Sequence, residues 1–133
     1  MFSYSDIIPS VDFKLLCKNP PSGFDYTQAY TDYQKFMFLH FKYPKIRMCP
    51  SPHLDYIWHQ HMLNPISYHS DCMKWFGALR GHDASLGLTP KGKKSLEKMK
   101  QETKKLWKQE FGEEFDPPLK AEQVYVGCYD GCG

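Results

Sequence analysis

A proline inside a helical pattern constrains this chain more than any other feature. The run from Pro52 through Leu54, Ile57, Trp58, His61 and Met62 carries apolar residues at helical spacing, and it meets Asn64-Pro65. Proline has no backbone N–H and its ring clashes with the preceding turn, so one helix cannot pass through that point. Asparagine is a good N-cap and proline suits the first helical position. The pattern therefore predicts one helix over 53–63 and a second over 65–78, joined by a tight turn. Five of the six histidines (His53, His59, His61, His69, His82) and two of the three tryptophans fall within 52–83, which marks this stretch as the candidate site.

Length and composition narrow the rest. At 133 residues the chain fits one domain with one core, and 16% aromatic with 41% hydrophobic residues excludes a disordered polymer. A net charge of +2 does not by itself imply nucleic acid. No apolar run is long enough to span a membrane, and the start Met-Phe-Ser-Tyr-Ser-Asp lacks the basic-then-apolar pattern of a secretion signal. Five scattered cysteines, an odd number, point to reduced thiols and a cytoplasmic protein.

Taken in order, Ser10 is expected to cap a short helix carrying Val11, Leu15 and Leu16, ended by Pro20-Pro21. Tyr26, Ala29, Tyr30, Tyr33, Phe36 or Met37, and His40 or Phe41 recur every three or four residues and predict an amphipathic helix over 26–41. Thr89-Pro90 opens a last helix over 90–111, with Leu96, Met99, Leu106 and Trp107 on one side and Gly112 as its stop. The expected fold class is all-α: a helical domain over 1–114, built from four or five helices, and an extended tail over 115–133. Tyr30, Tyr33, Met37, Trp58, Trp75, Leu106 and Trp107 are expected in the core.

Within the central stretch, successive helical residues turn by about 100°, so His59 and His61 point to nearly opposite sides. His61 shares its face with Leu54, Ile57 and Trp58, as a core histidine held by a hydrogen bond would. Asp55 precedes His59 by one turn, which suits an oriented metal ligand, a general base, or a plain surface pair. In the next helix Tyr68, Cys72, Trp75 and Leu79 make an apolar stripe with Asp71 at its edge, while His69 faces solvent. A tight turn could bring His59 and Cys72 together, with His82 closing the set from the exit loop. Nitrogen and thiolate ligands favour zinc, although no Cys-x-x-Cys or His-Glu-x-x-His is present. Cys72 with His59 and Asp55 also forms a Cys/His/Asp set, without the glycine elbow of a nucleophile. The eight lysines of 91–108 are interleaved with Glu97, Glu102 and Glu110 and read as a solvated face before a nucleic-acid stripe. Cys128 and Cys132 read as part of a free tail.

Asp55, Trp58-His59-Gln60-His61, Leu63-Asn64-Pro65, Tyr68 and Asp71-Cys72 resemble the signature of the glycine-rich domain-containing protein family of plants, fungi and other lineages. The resemblance runs over 44–83 and ends in a Gly-then-His-Asp exit. It implies a compact helical domain and carries over Asp55, Trp58, His59, His61, Pro65, Tyr68, Asp71, Cys72 and His82, but it brings no established reaction. The cysteine and the late histidine vary between branches of that family. Many relatives continue into further modules and a glycine-rich tail, so this chain is expected to be a stand-alone version.

Three functional readings follow. In the first, the domain is a metal- or ligand-binding interaction module, with His59, His61, Cys72 and His82 on zinc and Asp55, Tyr68 and Asp71 around them. A protein is then the expected partner. The second is a small metal-dependent hydrolase centred on His59 and Asp55. In the third the motif is a structural polar network that locks two helices.

Overall fold

The computed structural model describes residues 2–81 and 88–115, and all regular structure among them is helical. A 3-10 turn at Tyr4–Asp6 precedes α1 (Phe13–Leu16), α2 (Tyr26–Lys42), α3 (Pro52–Met62), α4 (Pro65–Phe76) and α5 (Pro90–Phe111). The all-α class is as expected. The tail expected over 115–133, with Cys128 and Cys132, lies beyond Phe115 outside the described residues, as does His82.

Each helix is bounded by local chemistry. Asp25 caps α2 through Gln28 N, Ser51 caps α3 with Pro52 behind it, and Thr89 caps α5 through Gly92 N with Pro90 behind it. Gly77 and Gly112 end α4 and α5 at φ +72° and +67°, a left-handed conformation that costs a side-chain-bearing residue energy. At the α3–α4 corner the sequence reading needs a correction. Asn64 occupies the N-cap position of α4 but makes no side-chain cap bond; its Nδ2 turns back to Gln60 O at 3.0 Å and closes α3 instead. Ser10 likewise caps nothing. The short first helix is capped by Asp12, and Leu15 points to solvent.

α2 packs against α3, α4 and the N-terminal turn, and α3 packs in turn against α1 and α4. The shared core contains Phe13, Tyr33, Phe36, Met37, Leu39, Leu54, Ile57, Trp58, Tyr68, Cys72, Trp75 and Trp107. Of the residues expected there, Tyr30 is only partly buried; its ring sits at the core's edge against Phe13 and Tyr26. Leu79 is exposed, because α4 stops at Phe76 before it can face inward.

α5 is attached by large side chains and by polar ties. Glu110 accepts from Lys42 Nζ at 2.9 Å and from the Tyr43 hydroxyl. Thr103 Oγ1 accepts from Cys49 N at 2.9 Å and donates to Met99 O, so the segment between α2 and α3 is pinned to α5. The expectation of uniformly reduced cysteines fails here: Cys49 is disulfide-bonded, whereas Cys17 and Cys72 carry free thiols. No helix among the described residues is long and apolar enough to cross a membrane.

Candidate functional site

The Trp-His-Gln-His segment lies on the last two turns of α3, where its members meet different surroundings. Trp58 and His61 point into the core, both with no accessible surface. His59 points outward, its side chain 46% exposed. That division follows from a helical rotation of about 100° per residue, which sets 58 and 61 on one side and 55 and 59 on another.

Both ring nitrogens of His61 are engaged inside the protein. Nδ1 lies 2.6 Å from the Tyr33 hydroxyl on α2, and Nε2 lies 2.8 Å from Asp71 Oδ2 on α4. An Asp71 carboxylate can only accept, so Nε2–H donates to it and Nδ1 accepts from Tyr33. The same Asp71 oxygen accepts from Ser10 N at 2.8 Å and from Ser10 Oγ at 3.0 Å. Four segments distant in sequence thus converge on one imidazole and one carboxylate. Around the ring stand Phe13, Tyr33, Tyr68 and Trp75, with centroids 4.9–5.8 Å from that of His61. Edge-to-face contacts at such distances are favourable for aromatic pairs.

A second polar chain runs alongside. Trp58 Nε1 donates to the Tyr68 hydroxyl at 2.9 Å, which donates to Arg80 O at 2.7 Å. Arg80 reaches back to the carbonyls of Pro44 and His40, and His40 Nδ1 donates to Phe36 O at 3.0 Å. The exit of α4 is thereby tied to the end of α2.

A Tyr–His–Asp series has the form of a proton relay, but its environment opposes that use. Burial pushes the Tyr33 hydroxyl well above its usual range, so it stays protonated. Burial also lowers His61, partly offset by its bond to Asp71, so the imidazole stays neutral. Neither Tyr33 nor His61 reaches the surface. His40 is another buried, neutral imidazole, held down to about 3 by burial and by Arg80. Chemically, this arrangement satisfies polar groups and fixes helices.

His59 behaves differently. Its Nε2 lies 3.4 Å from Asp55 Oδ1, and that carboxylate raises its pKa against the opposing effect of burial. Cys72 is fully buried, and burial pushes its thiol up, so the neutral thiol rather than the thiolate prevails near neutral pH. Of the expected zinc set, His59 is half-exposed, His61 is doubly hydrogen-bonded, Cys72 sits in the core, and His82 is outside the described residues. Among the described residues no group of three or more His, Cys, Asp and Glu side chains is placed to hold a metal ion. His69 faces solvent as expected.

Two members of the network escaped the sequence reading. Ser10 was assigned to a helix cap and Tyr33 to the apolar core. Tyr33 did carry a signal, a hydroxyl on a helix face that must be buried, and a buried hydroxyl requires a partner.

A stretch of 67 residues, half of this chain, is 39% identical to glycine-rich domain-containing protein 1 of Arabidopsis thaliana. The match covers 8% of that protein's length, so this chain corresponds to a small part of it. No protein-family model matches the chain, and no solved structure does.

Proposed function

We propose that this chain is a non-catalytic helical interaction module whose Trp-His-x-His segment is a structural lock. The observation that carries the reading is the engagement of both His61 nitrogens by Tyr33 and Asp71, inside a shell of aromatic rings. A buried imidazole saturated in this way has no lone pair left for zinc and no proton path to a substrate. The match to glycine-rich domain-containing protein 1 supports a domain of the kind that its family name denotes, while roles of the rest of that long protein do not carry over.

Zinc on His59, His61, Cys72 and His82 is the competing proposal. It requires His61 to release Tyr33 or Asp71 and the Cys72 thiol to ionise. The two proposals separate by elemental analysis of protein purified without an affinity tag, combined with melting curves with and without zinc. The lock predicts no stoichiometric metal and an unchanged melting temperature. One equivalent of zinc, lost in His59→Ala or Cys72→Ala, would overturn it.

A further inference from the structure

The lysines of α5 are interleaved with acids in sequence, and folding spreads them over the exposed face with Glu97 and Glu102 at its flanks. Met99, Thr103, Leu106 and Trp107 bury one side of the helix. Lys91, Lys94, Lys98, Gln101, Lys105 and Lys108 are all exposed and fall at steps of three and four. At about 100° per residue these six positions occupy an arc of about 100° opposite the buried side, about 25 Å long.

Two of the acids are drawn elsewhere. Glu110 is held by Lys42 and Tyr43 of the α2 end, and Glu113 by Lys35 and Trp107. Glu97 and Glu102 lie about 20° outside the two edges of the arc, and Glu97 accepts from Gln101 Nε2 at 3.0 Å. Lys108 pairs with Glu114 at 3.0 Å in solvent. Among the described residues no ion pair is recorded for Lys91, Lys94, Lys98 or Lys105. The helix therefore presents a straight row of four ammonium groups that outnumber the two acids flanking them, with Lys108 at its end.

We infer that this row is a docking surface for the phosphate backbone of double-stranded nucleic acid, read without regard to sequence. A duplex carries one negative charge per about 1.7 Å of its axis, on two winding strands, so a straight row of this length crosses the backbone and meets a few phosphates. Lysine is a point charge on a flexible stem, which suits such an array without demanding a fixed register. The row holds no arginine fork and no aromatic ring, so base reading is not part of the interaction. A bilayer fits less well. A surface-lying helix gains its hold by inserting an apolar face, and the apolar face of α5 is already buried in the core. This surface is independent of the His61 network, and either inference can fail without the other.

The test is fluorescence anisotropy of the intact protein with a labelled mixed-sequence DNA duplex, between about 50 and 200 mM salt. Four phosphate contacts predict a slope of log K against log salt of about −3 to −4. Replacing Lys94, Lys98 and Lys105 together by Gln should weaken binding at least tenfold, bring the slope to about −1, and leave the melting temperature unchanged. Replacing Lys18 and Lys45 by Gln, elsewhere on the surface, should leave binding as it was. Any of three results would overturn the inference: no duplex binding at the lower salt, equal binding by the triple variant, or tighter binding to phosphatidylserine vesicles or polyglutamate than to the duplex.

Discussion

Burying an imidazole in an aromatic shell is unfavourable unless each ring nitrogen finds a partner, and His61 finds two. Removing one partner leaves the other polar group desolvated and unbonded. Tyr33→Phe and Asp71→Ala should each cost about 1–3 kcal/mol, whereas His59→Ala, on the exposed side of the same helix, should cost well under about 1 kcal/mol. Urea denaturation of the three variants measures this directly, with the midpoint shifting and the slope unchanged. The separation of His59 from His61 was legible in the sequence, because it depends only on helical rotation. The partners of His61 were not. Ser10 lies 61 residues from Asp71 and Tyr33 lies 28 from His61, and no local pattern encodes contacts across such distances.

Among the elements, starts and stops were the most readable features. Thr89-Pro90 opens α5, Gly112 closes it, and Asn64-Pro65 divides α3 from α4, all from short-range sterics and backbone hydrogen bonding. What proved illegible was the assignment of side chains at those boundaries, such as Asn64 turning back to α3 and Asp12 replacing Ser10 as a cap. A local signal names several adequate donors and acceptors, and tertiary packing chooses among them. Gly112 offers a clean check of the αL stop. A Cβ there would meet nothing within 4 Å, so any cost of Gly112→Ala comes from its φ of +67° and not from crowding. The substitution should destabilise by about 1–2 kcal/mol, read as a lowered melting temperature.

At the scale of the whole molecule, one polar network joins the N-terminal segment, α2, α3 and α4, and a second ties the end of α2 to the exit of α4. Both contain imidazoles kept neutral by burial, and this has a signed consequence. His40 and His61 bind protons less readily folded than unfolded. Stability is therefore full above about pH 6.5 and falls as pH drops below it, down to about 3 for His40. His59 runs the other way, since Asp55 raises its pKa; its smaller contribution is present at low pH and lost as pH rises through the raised value. The most direct test of the lock is nitrogen NMR of the imidazole side chains, followed from pH 8 to about pH 5 with and without zinc. His61 should still be the neutral Nε2–H tautomer at the pH where an ordinary imidazole is half protonated, unmoved by zinc, while His59 gains its proton at a higher pH than an ordinary imidazole. A His61 that gains a proton near its ordinary pKa, or whose nitrogen signals shift with zinc at neutral pH, would contradict the account.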